Sequence, residues 1–319
     1  MSTIATTIAG PKTYSAEELQ ALHLAMNAKA KRKKILQKTA LVTMNLIVCL
    51  FMLFPLLYTI SVAFMPSGEL YTMAMNIVPK HPTLENFAEA FHKIPLVRFV
   101  LNSFLVAGSI TLGQIVTCSL AAFAFSFLNF KGKNVLFMLV MATMMVPGEA
   151  TIISNYLTVG SLGLLDTYIV LILPSLTSAM GIFLFRQFYM TFPISLYESA
   201  KLDGASQWQI LWRIFIPISK PSLATIILFS LINHWNSWFD GLIYSNHTTN
   251  YPLQSYLQTL VTSTTEILAQ GDVKAIARLV DINDTNMKAA QIFISVIPLM
   301  LIYPFLQKYF TTGLTMGSV

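Results

Sequence analysis

What most constrains this chain is where charge is missing. Residues 39–68, 99–130, 167–185, 221–239 and 289–307 contain no Asp, Glu, Lys or Arg. A helix crossing the hydrocarbon of a bilayer needs about 20 mostly apolar residues, and each of these runs is of that order. A sixth apolar stretch, from about Asn134 to Leu157, is interrupted by Pro147, Gly148 and Glu149. Over the whole chain only 11% of residues are charged, against roughly 25% in soluble domains. The fold class predicted is therefore an all-α membrane protein with six transmembrane helices, at 40–63, 98–127, 134–157, 168–187, 221–244 and 289–307. Two segments follow: a basic N-terminal segment, 1–39, and a transmembrane domain, 40–319. The first apolar run, at about 24 residues, exceeds the 7–15 of a signal peptide and starts late, so it is read as a retained span.

Lys and Arg orient the bundle. Lys29, Lys31, Arg32, Lys33, Lys34 and Lys38 precede the first span, which puts the N-terminus in the cytoplasm. Six spans then place Lys12, Lys131, Lys133, Arg186, Lys201, Arg213, Lys220 and Lys308 on the same side. Only Lys80, Lys93, Arg98, Lys274, Arg278 and Lys288 fall outside, and the C-terminus is also cytoplasmic. These cations abut apolar runs, so they are read as membrane flanks and not as a nucleic-acid patch. Ser15 and Glu18 have capping-box spacing for a surface helix up to Lys38; a solvated charged tail fits equally well. The two cysteines, Cys49 and Cys118, lie within apolar runs and suggest packing residues.

Between the fourth and fifth spans lies a long loop, Gln187–Lys220. Ser195 and Glu198 have capping-box spacing for a short helix from about Leu196, Asp203-Gly204 ends it, and a second helix starts near Gln207. Pro217 and Pro221 close that helix and open the next span. Glu198-Ser199-Ala200, then Gly204, then Ile214-Phe215-Ile216-Pro217, resembles the EAA loop of bacterial ABC-importer permeases, here at 188–220. Leu202-Asp203-Gly204-Ala205 resembles its sugar-importer branch. Ser199 departs from the usual alanine, a small-for-small change. Three further stretches resemble maltose-type carbohydrate permeases: Val146-Pro147-Gly148-Glu149, Leu162-Gly163-Leu164-Leu165-Asp166-Thr167-Tyr168 and Gly313-Leu314-Thr315-Met316-Gly317.

The resemblance implies a permease subunit that moves a carbohydrate, an oligosaccharide above all, across the bacterial inner membrane by alternating access. It implies that the loop is a cytoplasmic coupling helix docking on an ATP-binding subunit, with Glu198, Ser199, Ala200, Asp203, Gly204, Ala205 and Pro217 as its defining residues. The implied partners are a second homologous permease subunit, two copies of the ATP-binding subunit and an extracytoplasmic solute-binding protein. That protein would meet the outer segments, 64–97 and 245–288, the second with a short amphipathic helix at Thr264–Val280. A bilayer-surface helix anchored by Trp208 and Trp212 is the competing reading of the loop. ATP and Mg would be bound by the partner: the Gly132-Lys133 pair lacks the upstream glycine and following Ser/Thr of a phosphate-cradling loop. No catalytic, metal or cofactor residues are expected in this chain.

Candidates for the pathway come from polar residues inside spans. Glu149 sits beside Pro147-Gly148 in the third span, where an ionisable group must face protein or water. Plotted as one continuous helix, Ser230, Asn233, Asn236, Ser237 and Asp240 share a face about 120° wide. Leu231, Trp235, Phe239 and Leu242 then lie opposite, and Trp238 is assigned to packing or the rim. Amides and a carboxylate suit sugar hydroxyls, although hydrogen bonding between helices also explains such residues. An ion-coupled secondary transporter is the main rival, but internal repeats are expected of one. A membrane enzyme lacks a nucleophile–base pair here, and an insertion factor has no need of the loop. Within the permease reading, a glycerol-phosphate compound is the alternative cargo.

Overall fold

The computed structural model describes residues 16–66, 69, 78–270 and 284–315, which form helices and turns with no strand among them. The chain divides into two compact units, Met1–Tyr58 and Thr59–Val319. Helix α1, Ala16–Ala63, supplies the described part of the first unit, with Phe54 and Tyr58 stacked one turn apart. Ser15 and the C-terminal Met316-Gly317 lie outside the described residues, as does the expected helix beyond Gln270.

The second unit is built around α3, Leu96–Phe127, a 32-residue helix free of proline. Its neighbours are α7 (Ala179–Tyr189) and α10 (Lys220–Trp235). The preceding helix α2, Glu85–Lys93, packs on α13, Asp284–Thr315. Buried asparagines fix the entry to this unit: Asn86 Nδ2 donates to the carbonyls of Ala63 and Met65 at 2.9 and 2.8 Å, and Asn286 Nδ2 donates to Met65 as well. On the other face of α10, Trp235 Nε1 donates to Ser295 O at 3.0 Å and ties that helix to α13.

Among the described residues three helices are long and apolar enough to cross a bilayer unbroken, over Lys29–Ala63, Leu96–Phe127 and Thr285–Phe305. The other expected spans are broken. The third is α4 (Lys133–Thr143), a 3-10 turn at Gly148–Thr151 and α5 (Ile152–Ser161). The fourth is α6 (Tyr168–Ile172) with a 3-10 turn at Leu173–Ser175, bent by 41° from α7. The fifth ends at Trp235 and resumes as α11, Phe239–Tyr244. This corrects the reading of 221–244 as one continuous helix, and the angular positions of Asn236, Ser237 and Asp240 with it.

A broken helix exposes carbonyls that lipid cannot satisfy, and α3 supplies the partners for the second break. Gln114 Nε2 donates to Ser175 O at 2.8 Å and Thr117 Oγ1 to Leu176 O at 2.6 Å. Cys118 Sγ exchanges hydrogen bonds with the backbone of Ser178 at 3.4 Å in both directions. Residues 114, 117 and 118 have the i, i+3, i+4 spacing of one helix face. Close approach is needed too: a Cβ on Gly181 would sit 2.9 Å from Cys118 Sγ. So Cys118 is a packing and hydrogen-bonding residue, while Cys49 is exposed.

Candidate functional site

The loop after α7 folds as a helical protrusion. Helix α8 runs Ile194–Leu202 from an N-cap at Pro193, whose fixed φ of −58° suits a helix start. Ser195 therefore lies inside the helix, where its carbonyl accepts a bond from Ser199 Oγ at 2.7 Å, and the expected Ser195–Glu198 capping box is absent. The helix ends in a Schellman motif. The Ala205 N–H reaches back to Ala200 O, the Gly204 N–H to Lys201 O, both at 3.1 Å, and Gly204 has φ +80°. Ser206 and Gln209 then form the capping box that begins α9, Gln207–Ile218. Pro217 lacks an N–H and its ring crowds the carbonyl four residues back; the helix widens to π geometry over Ile210–Phe215 just before it. An 81° bend at Ser219 turns the chain into α10.

Helix α8 has two faces. Tyr197 and Ala200 are buried, while Glu198, Ser199, Lys201, Leu202 and Asp203 are exposed. The buried face joins an aromatic cluster centred on Phe215, which is fully enclosed. Its ring lies 4.5 Å from Phe127, 5.6 Å from Tyr189 and 5.7 Å from Phe123, and Tyr197 stacks on Phe127 at 5.0 Å. The protrusion is thus wedged against the Phe127 end of α3 by close-packed rings. Glu198, Ser199, Ala200, Asp203, Gly204 and Ala205 come together here, and Pro217 stands at the far end of α9.

The second feature is a cavity of about 930 Å³. All three helix breaks meet on it. Gly148 and Thr151 line it from the first break, Pro174 and Ser175 from the second, and Asn233, Trp238, Phe239 and Asp240 from the third. A smaller adjoining space of about 390 Å³ shares Asn233, Trp238 and Asp240 and adds His234, Asn236 and Ser237. Of the polar residues selected from the sequence, Asn233, Asn236, Ser237 and Asp240 reach these spaces. Ser237 Oγ donates to Asp240 Oδ2 at 3.0 Å, and Asn236 Nδ2 donates to Ile232 O at 2.9 Å. Ser230 does not line them: it is buried and shares a 2.9 Å hydrogen bond with Thr111 Oγ1, joining α10 to α3. The side chain of Glu149 lies outside the described residues. Trp238, set aside as packing, lines both spaces, because the break after Trp235 swings it round.

The Leu162–Tyr168 motif supplies a clamp that composition gave no reason to expect. Asp166 adopts φ +63°, a region Asp tolerates better than most residues. Its Oδ1 accepts from the backbone N–H groups of Asn246 and His247 at 2.6 and 3.0 Å. Those amides, His247 foremost, hold the carboxyl below its ordinary pKa. Tyr168 OH donates to Asn102 Oδ1 at 2.8 Å, and Asn102 Nδ2 donates to the carbonyls of Thr249 and Tyr251. Two segments remote in sequence, 162–168 and 244–251, are stitched at the Tyr244 end of the cavity.

Residues 109–316 match the model of the binding-protein-dependent transport system inner membrane component family. The chain belongs to that family. It is a multi-pass membrane permease subunit, and the matched range includes the protrusion, both stitched segments and every described residue of the cavity. Protein LplC of Bacillus subtilis (strain 168) is 35% identical over 265 residues, 83% of the permease and 88% of LplC. The polygalacturonan/rhamnogalacturonan transport system permease protein YtcP of the same organism is 31% identical, over 86% and 94% of the two chains. The sn-glycerol-3-phosphate transport system permease protein UgpE of Escherichia coli O1:K1 / APEC is 32% identical, over 85% and 94%. Among solved structures, a bacterial ABC transporter involved in the import of the acidic polysaccharide alginate has a chain of the same fold, with a TM-score of 0.73. It is 24% identical and covers 94% of the permease and 100% of that chain.

Proposed function

We propose that this permease forms one half of the membrane pathway of an ATP-driven importer, moving an oligosaccharide from an extracytoplasmic binding protein into the cytoplasm. The observation that carries this reading is the convergence of three helix breaks on one polar, aromatic-lined cavity. Irregular backbone at membrane depth is tolerated where it is buried in protein or lines a watery space. Sugars need such a space, with amides and carboxylates for hydroxyls and rings for the apolar faces of the pyranose. The broken helices of the third, fourth and fifth segments count as one span each, which brings the total to six. Residues 1–39 form the basic cytoplasmic segment and 40–319 the transmembrane domain.

In this arrangement both termini are cytoplasmic, and the α8 protrusion faces the cytoplasm. Its outward face, with Leu202 89% exposed beside Glu198, Asp203 and Gly204, docks on a separate ATP-binding subunit. ATP hydrolysis, with its Mg, belongs to that subunit, present in two copies. A second, homologous permease subunit supplies the other wall of the cavity. The relatives named for saccharide transport support the choice of cargo.

The test is ATP-dependent uptake in proteoliposomes holding the whole complex, with cysteine labelling at Ser206→Cys and Thr264→Cys for sidedness. Uptake that needs the ATPase and the binding protein is expected, with Ser206→Cys labelled only from the cytoplasmic face and Thr264→Cys only from the outer face. Uptake driven by an ion gradient alone, or labelling of both sites from outside, would sink the reading.

A further inference from the structure

Three of the proteins this permease resembles are named for anionic cargo: polygalacturonan, glycerol 3-phosphate and alginate. We infer that the wall this chain contributes to the pathway selects an uncharged saccharide and repels anionic ones. The inference rests on the reading of the cavity as the saccharide pathway.

Asp240 faces both spaces, and no Lys or Arg is among the described residues lining either. One carboxylate oxygen accepts from Ser237 Oγ at 3.0 Å, which leaves the other to accept hydrogen bonds from sugar hydroxyls. His234 does not supply a compensating cation. Gln114 Nε2 gives one N–H to Ser175 O at 2.8 Å and directs the other at His234 Nε2, 3.2 Å away. An amide nitrogen only donates, so the imidazole nitrogen must accept, which makes the ring neutral with its proton on Nδ1. The remaining chemistry is uncharged. Trp238 and Phe239, in edge-to-face contact at 5.5 Å, are 41% and 37% exposed and offer apolar rings. Asn155 and Asn233 add amides that bond hydroxyls without regard to charge. A uronate or phosphate entering this space meets a carboxylate with no Lys or Arg among the described lining residues to offset it, and like charges held that close repel. A neutral sugar meets only acceptors, amides and rings.

The charge of the cavity can be read without knowing the cargo. In the assembled complex, carrying Cys49→Ser and Asn155→Cys, modification by cationic and anionic methanethiosulfonates is timed, each normalised to its rate with a small free thiol. The expected normalised ratio favours the cation about tenfold, equivalent to about 1.4 kcal/mol, and Asp240→Asn brings it towards one. A ratio at or below one, or a ratio indifferent to Asp240→Asn, overturns the inference. Uptake of maltotriose and of trigalacturonate is compared in the assembled complex with the unsubstituted chain. ATP-dependent import of trigalacturonate as fast as of maltotriose also overturns it while leaving the importer reading intact. Absence of any ATP-dependent uptake with the tenfold ratio preserved overturns the importer reading and leaves the electrostatic assignment standing.

Discussion

Gly204 offers the sharpest test of the proposal that the α8 protrusion couples this permease to an ATPase. Its φ of +80° closes the Schellman motif at the end of α8, and a Cβ built there meets no atom of this chain within 4 Å. Any cost of Gly204→Ala is therefore conformational. An L-residue in the left-handed region costs about 1–2 kcal/mol, a factor of roughly 5–30 in the population of the closed turn. Asn tolerates that region better than Ala and has a larger side chain. The expected order of ATP-driven uptake is then the parent, Gly204→Asn, Gly204→Ala, with the alanine variant reduced about fivefold or more and membrane insertion unchanged in all. Uptake and binding-protein-stimulated ATP hydrolysis would be measured side by side in proteoliposomes. If Gly204→Asn is worse than Gly204→Ala, space on the docking side decides and the conformational argument is wrong. If Gly204→Ala matches the parent, the left-handed turn is not needed for coupling.

Phe215→Ala should destabilise the protrusion by about 3–5 kcal/mol, the usual cost of removing a fully buried ring; protease nicking within 190–218 should appear while the spans stay resistant, and an unchanged digestion pattern would refute the wedge. Asp166 gives a pH prediction: its carboxyl is held below the ordinary value in the fold, so the clamp is intact above about pH 4 and is lost as pH falls through the folded pKa. Corrected hydrogen exchange at Asn246 and His247 should be flat from about pH 8 to 5 and rise at lower pH, whereas Asp166→Asn should abolish that rise.

Span α3 was legible within two residues, because a long uncharged run without proline has only one way to satisfy its backbone in lipid. The Gly204 turn was equally legible, since a glycine after an acid at a helix end signals a left-handed C′ position. The start of α8 was not: Ser195–Glu198 has the spacing of a cap, yet Pro193 already sets the helix entry, and the real capping box is Ser206–Gln209.

The break after Trp235 shows the limit more clearly. Neither proline nor glycine lies at 236–238, so nothing local marks it. The carbonyl of Trp238 is instead satisfied by Ser255 Oγ at 2.8 Å, from α12, Leu253–Gln270. That bond, from a helix outside the span, permits the interruption. Composition and charge placement, which act through the solvent, determined by themselves that this chain is a helical protein of the bilayer and which stretches are apolar enough to enter it. Motif spacing, which acts through local backbone geometry, determined the protrusion and the family. The first break is marked locally by Pro147-Gly148, but only the tertiary structure decided the other two, because the freed carbonyls there need partners from distant elements: Gln114 and Thr117 for one break, Ser255 for the other. It thereby decided that Trp238 faces the cavity and Ser230 does not.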